Sequence, residues 1–162
     1  MVIKRPDGAA LLELETAARY RGTGLNASVL LGRWRLRSVW PKGEIQASSF
    51  SGWALRGLQA ELDLRSGEEE QLLLSNAVSI GPLELRFRGE ASLRGRRPLL
   101  TFVFRTVELT VSGRCLLKRE IPAPMPSRQP FFALIHRDPS GWLAARGRGG
   151  GLALWELAPA EN

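Results

Sequence analysis

Hydrophobic and polar residues alternate with a period of two along most of this chain, and only its first segment has a helical period. In residues 9–21, Leu11, Leu12, Ala17, Ala18 and Tyr20 recur at helical spacing among Ala, Leu, Glu and Arg, which are good helix formers. Pro6 and Asp7 supply a start signal, and Gly22 and Gly24 a stop. From Leu30 onward the spacing changes. Trp34 and Leu36 alternate with Arg33, Arg35 and Arg37, Leu62 and Leu64 with Glu61 and Asp63, and Leu83, Leu85 and Phe87 with Glu84, Arg86 and Arg88. Phe102 and Phe104 stand against Val103 and Arg105, and Val107, Leu109 and Val111 against Glu108 and Thr110. Side chains of a strand alternate faces, so each segment predicts a half-buried antiparallel strand.

Turn chemistry separates these segments at short intervals: Pro41-Lys42-Gly43, Ser66-Gly67, Gly81-Pro82, Ser112-Gly113 and Gly149-Gly150-Gly151. Many short strands between turns predict a mainly β fold. An antiparallel β-barrel with a short N-terminal helix is favoured over a sandwich, because closure removes exposed edges. The expectation is one domain over residues 1–162, with residues 1–28 as a helical segment packed on the barrel. Residues 122–130, PAPMPSRQP, are too rich in proline for a central strand and read as an ordered crossing loop.

Composition narrows the chemistry. A chain of 162 residues that is 44% apolar can bury a core without covalent staples. Cys115 is the sole cysteine and His136 the sole histidine, which excludes an internal disulfide framework and any zinc site built from several Cys or His of one chain. Cys115 lies among apolar residues and reads as a buried, inert thiol. His136 and Asp138 are two apart on a strand and poorly placed for a Ser-His-Asp arrangement. The glycine run 149–151 precedes a strand rather than a helix, so it is no phosphate loop. These readings predict no catalytic residue, no metal and no cofactor, hence a binding protein rather than an enzyme. No apolar run approaches the ~18–20 residues of a membrane-spanning helix, and no secretory leader follows Met1, so a cytoplasmic location is expected.

The net charge of +7 is carried almost wholly by arginine. Arg33, Arg35 and Arg37 form one outward row, and Arg86, Arg88, Arg94, Arg96 and Arg97 a second cluster. Such a balance permits an anionic partner. Peripheral contact with an anionic membrane or lipid-droplet surface is preferred to nucleic acid, because the aromatics needed for base stacking fall on the opposite face from the charges.

A small barrel either fills its interior or encloses one small ligand. If it encloses a hydrophobic small molecule, the candidate ligand-binding residues are Trp34, Leu36, Asn76, Leu85, Phe87, Phe102, Phe104, Arg105 and Leu109, with Asn76, Arg105 or Arg146 meeting a headgroup. Barrel closure is assigned to Gly32, Trp34, Arg146 and Gly147. An Arg146 guanidinium stacked on the Trp34 indole would contribute ~1–2 kcal/mol and lock the first strand to the last.

Three strings resemble a known family. Leu30-x-Gly32-x-Trp34-x-Leu36, the Asn-containing Leu74-Ser75-Asn76-Ala77-Val78, and the closing segment from Ala145-Arg146-Gly147 to Leu152-Ala153-Leu154 are similar, in order and separation, to the PAP/fibrillin domain of plastid-lipid-associated proteins. The chain departs from the family at His136 to Leu143, where a Tyr-Leu-Asp-x-Asp-Leu-Arg run is usual, and at Arg37-Ser38-Val39-Trp40, which replaces Tyr-Thr-Ser. The resemblance implies a divergent, cyanobacterial-type member with a lipocalin-like barrel, binding an isoprenoid, carotenoid, quinone or other lipid near thylakoid membranes. Two alternatives stay open: a tetrapyrrole or bilin chaperone or lyase-like barrel, and a structural module that recruits an enzyme of lipid metabolism.

Overall fold

The computed structural model describes residues 4–43, 59–69 and 71–160. Among them a single helix, α1 (Gly8–Arg21), precedes nine strands: β1 (Gly32–Trp40), β2 (Gln59–Ser66), β3 (Leu72–Ile80), β4 (Leu83–Arg94), β5 (Leu99–Val111), β6 (Arg114–Glu120), β7 (Phe131–Asp138), β8 (Trp142–Gly147) and β9 (Leu152–Leu157). The caps of α1 are those the sequence signals. Asp7 accepts from the Ala10 amide at 2.8 Å, and Gly22, with φ +74°, ends the helix.

The strands form one antiparallel sheet in the order β4-β3-β2-β1-β9-β8-β7-β5-β6, and β4 also pairs with β5. Eight of them therefore close into a ring, and β6 lies outside it. Consecutive strands pair with each other, except that β7 pairs with β5 rather than β6, and β1 closes against β9, with Trp34 opposite Leu157. β5 has two partners on one edge. Its first residues, Leu99 to Thr101, pair with β7, and Thr106 to Val111 pair with β6.

Inside the ring lies the main core, with Trp34, Leu62, Leu64, Leu72, Leu74, Leu100, Phe102, Leu134, Leu143 and Trp155 among its members. Trp34 is 0% exposed, and its Nε1 donates to the Leu30 carbonyl at 2.8 Å. Leu30 belongs to a short 3-10 turn, Ala27–Leu30, capped by Asn26, and together with Leu25 it packs into this end of the ring. That end is plugged. A second core forms outside the ring, where Leu11 of α1 covers Trp40, Ile135, Trp142, Ala144, Leu152 and Leu154.

Four β-bulges break strict alternation. Leu36 faces Trp155 but Ser38 faces Leu154, so Arg37 is an extra residue and Trp40 turns outward beneath α1. Ile135 of β7, Arg105 of β5 and Leu116 of β6 are extra residues in the same sense. At the β4–β5 bulge, Gly89 faces Phe104 so closely that a Cβ at 89 would lie 1.8 Å from the Val103 carbonyl oxygen.

The helix is tied to the ring by charge as well as by Leu11. Glu15, 3% exposed, accepts from Nε and Nη2 of Arg146 on β8, both at 2.5 Å, and from Arg97 at 2.8 Å. These bonds from Arg146 hold the Glu15 carboxyl below its ordinary range. Burial pushes the other way, and the charges of Arg19 and Arg97 assist Arg146.

Glu15→Ala removes the carboxylate shared by two part-buried guanidiniums and should cost about 2–3 kcal/mol in urea denaturation at neutral pH. Because the folded carboxyl is depressed, its contribution is present above the unfolded value of about 4.3 and is lost as pH falls through the lower folded value. Glu15→Gln should therefore flatten the acid limb of the stability–pH curve, and an unchanged limb would contradict the assignment. Gly89→Ala should lower stability by about 1–3 kcal/mol, because the β5 backbone has to move.

Candidate functional site

The inner face of the ring opens at the end opposite the plug, and the sheet register shows what lines it. Across β3, β4, β5 and β6 the inward side chains fall in transverse rows. At the mouth, Asn76 is opposite Phe87, Phe87 opposite Val107, and Val107 opposite Arg119. The next row outward is wholly apolar: Val78, Leu85, Leu109 and Leu117. The last row, at the hairpin tips, is Ile80, Leu83, Val111 and Arg114. The two tips are joined where the Ser112 amide donates to the Pro82 carbonyl at 2.9 Å. The β3–β6 strands thus continue past the mouth as a ribbon whose inner face carries no acidic residue in these rows.

Below the mouth lies a cavity of about 240 Å³, lined by Leu36, Val39, Ala60, Glu61, Leu62, Asn76, Phe132, Ala153 and Trp155, with the Glu61 carboxylate turned outward to Arg33 and Arg35. Five aromatic rings line the adjoining wall in sequence: Phe87, Phe104, Phe102, Phe132 and Trp155, with centroids 5.2–5.4 Å apart. Phe87–Phe104 is tilted, Phe102–Phe104 and Phe132–Trp155 are edge-on and Phe102–Phe132 is stacked, so the rings hold one another in place. Asn76 is the polar side chain of the lining that no described residue hydrogen-bonds, whereas Glu61 is held by Arg33 and Arg35. Larger grooves lie on the outer surface, such as one of about 460 Å³ flanked by Asp63, Arg65, Arg86 and Arg88. Those side chains are charged and cross-paired, so the groove offers an apolar molecule little burial.

The nine candidate ligand residues divide three ways. Leu36, Asn76, Phe87 and Phe104 meet at the mouth and cavity, with Phe102 buried behind them and Leu85 and Leu109 on the apolar row beyond. Trp34 lies in the plugged end, fully enclosed, and serves the core. Arg105 does not face the interior. It is the bulged residue of β5, and its guanidinium binds Glu90 on the outer side at 3.2 Å.

The closure residues also need correction. Arg146 does not stack on Trp34, because it shares the outer face of β8 with Trp142 and Ala144 and is taken up by Glu15. The cation over the Trp34 ring is Arg137, 5.2 Å from the centroid. The bulge at Ile135 turns Arg137 to the inner face, and its Nε donates to the Val29 carbonyl at 3.2 Å. Gly32, with φ +131°, opens β1 where a Cβ would meet Leu157 at 2.8 Å. Gly147 ends β8, and its amide donates to the Gly151 carbonyl at 2.9 Å in the β8–β9 turn.

Cys115 is exposed rather than buried, because β6 lies outside the ring with every residue accessible. Residues 122–130 link β6 to β7 with a 3-10 turn at Pro126–Arg128, which Arg148 holds by donating to the Ser127 and Arg128 carbonyls. Glu68 and Glu69 are exposed in the β2–β3 turn, and Glu70 lies outside the described residues. Near the β7–β8 turn, Ser140 donates to Asp138 at 2.5 Å and His136 lies 3.5 Å from the same carboxylate. Both engage the acid, and the geometry links no serine hydroxyl to the imidazole.

The outward arginine row is largely neutralised. Arg33 and Arg35 pair with Glu61, and Arg37 with Glu156, which also accepts from Arg5. No helix among the described residues is long and apolar enough to cross a membrane. Neither a protein-family model nor a curated protein matches the chain.

Asn76 gives a test of what the cavity asks of its lining. An amide kept for the fold would resist replacement, whereas one facing empty space loses nothing when it becomes apolar. Asn76→Leu should leave stability unchanged or raise it by about 1 kcal/mol in urea denaturation.

Proposed function

We propose that the chain is a non-enzymatic carrier of a hydrophobic small molecule, held at the mouth of a lipocalin-like barrel. The observation that carries this reading is the continuity of the cavity below Asn76 with the uncharged row Val78, Leu85, Leu109 and Leu117. An extended chain of methylenes fits such a path. One end enters among Leu36, Phe132 and Trp155, and the rest lies along the ribbon. Each methylene removed from water contributes ~0.8 kcal/mol, so about eight of them give roughly 6 kcal/mol and a dissociation constant of tens of micromolar. Asn76 supplies an unengaged hydrogen-bonding group beside the path and fits a hydroxyl, carbonyl or quinone oxygen.

The resemblance of the Gly32-x-Trp34, Asn76 and Arg146-Gly147 segments to the PAP/fibrillin domain supports the same assignment. It favours an isoprenoid, carotenoid, quinone or acyl ligand and a cytoplasmic protein at the thylakoid surface. The bilin reading calls for inward cations to meet propionates. Arg105 and Arg146 are both spent on outer carboxylates, which removes the residues on which that alternative rested.

Displacement of a fluorescent fatty acid by retinol, a prenyl alcohol and a prenylquinone, followed by native mass spectrometry, tests the proposal. Ala153→Trp fills the cavity and should weaken binding at least about tenfold, the loss of two methylenes' worth of burial, without lowering the melting temperature. Absence of binding by the wild-type protein to any of these ligands would refute the carrier reading.

A further inference from the structure

The ribbon beyond the mouth exposes more apolar surface than carrying one ligand requires. Ile80 is 55% exposed, Leu83 41% and Leu117 43%, and Leu116, thrown out by the β6 bulge, is 65% exposed. Ile80 and Leu83 adjoin Val111 in the tip row, Leu117 lies in the row behind them on the same face, and Leu116 stands beside Leu117 at the bulge, while the two hairpin tips are hydrogen-bonded together. A grouped apolar patch of this kind marks an interaction surface.

Charge identifies the partner. Elsewhere on the sheet most arginines have a carboxylate beside them, including Arg35 with Glu61, Arg86 with Glu84, Arg88 with Glu108 and Arg105 with Glu90. Arg114 and Arg119 differ. They stand at the β6 end of the tip and mouth rows, flanking Leu117, are exposed, and have no ion-pair partner among the described residues. Apolar side chains at a tip, bracketed by uncompensated guanidiniums, complement the acyl and phosphate layers of an anionic bilayer. Strand pairing with a second copy through the β6 edge is disfavoured by the bulge at Leu116 and by Lys118 and Arg119 on that edge.

We propose that the β3–β4 and β5–β6 hairpin tips dock the protein on an anionic lipid bilayer. Ile80, Leu83 and Leu116 enter the interface, and Arg114 and Arg119 lie at the headgroup phosphates, with the ring mouth turned toward the lipid. This surface is distinct from the outward arginine row, and the inference stands without the carrier reading.

Flotation of the full chain with vesicles of phosphatidylcholine, alone or mixed with phosphatidylglycerol, tests it. Wild type should float with the mixed vesicles and bind the neutral ones weakly. Arg114→Glu and Arg119→Glu should each weaken partitioning about fivefold or more. Ile80→Asp combined with Leu83→Asp should weaken it roughly tenfold or more. Arg94→Glu, an equal charge change at the far end of β4, should leave the tip-dependent binding in place, as should Ala153→Trp. The proposal is overturned if wild type ignores anionic vesicles, or if Arg94→Glu matches Arg114→Glu. It is also overturned if light scattering shows a dimer that the tip variants dissolve while vesicle binding is absent. Circular dichroism of each variant separates loss of binding from loss of fold.

Discussion

One edge of β5 has to serve two strands, and the rest of the molecule is arranged around that constraint. Over Leu99 to Thr101 the edge pairs with β7 and closes the ring, and from Thr106 it pairs with β6 and leaves the ring behind. The change of partner occurs beside the Arg105 bulge, where Gly89 lets β4 and β5 pass closely and bend together. Without the bend, a thirteen-residue strand would stand straight up from a ring whose other walls are shorter. With it, the first half of the β4–β5 hairpin is wall and the second half is a projecting ribbon. Between ring closure by three residue pairs and the ribbon's free face lies the open mouth.

The two ends of the ring are stabilised by different physics. At the plugged end Trp34 fills the centre, Leu25 and Leu30 pack beneath it, and Arg137 covers its ring. At the outer wall the stabilising contact is electrostatic, with Glu15 drawing Arg146 and Arg97 together beneath α1. A single carboxylate shared by two part-buried guanidiniums takes up most of the donors that would otherwise oppose the packing of helix on sheet, leaving Arg97 Nε unpartnered. The mouth has neither device. Its lining is mainly aromatic and aliphatic, with the Asn76 amide on one side and Arg119 at the end of the row.

Much of the architecture was legible because alternation is a local property. Leu62, Leu64, Leu72, Leu74, Phe102 and Phe104 all point inward as their spacing requires, and the outward row of Arg33, Arg35 and Arg37 is where the pattern places it. What failed was whatever a single inserted residue controls. Bulges at Arg37, Arg105, Leu116 and Ile135 change parity, so Trp40 passes beneath the helix and Arg137, rather than Arg146, reaches Trp34. The partner of Arg146 is Glu15, from the far end of the chain, a pairing that no spacing rule contains. Cys115 sat in an apolar string, and only the topology, which leaves β6 outside the ring, exposes it.

The pairing of β1 with β9 sets a timetable. Trp34 finds its place opposite Leu157, so the wall that encloses it is complete only when nearly the whole chain is available. During synthesis β1 to β4 can form successive hairpins, yet the edge of β1 stays bare until the last strand leaves the ribosome. Non-local closure of this kind makes folding slow compared with that of a helical bundle. The bare edge and the uncovered indole of Trp34 are then the parts of the nascent protein most in need of protection from other chains.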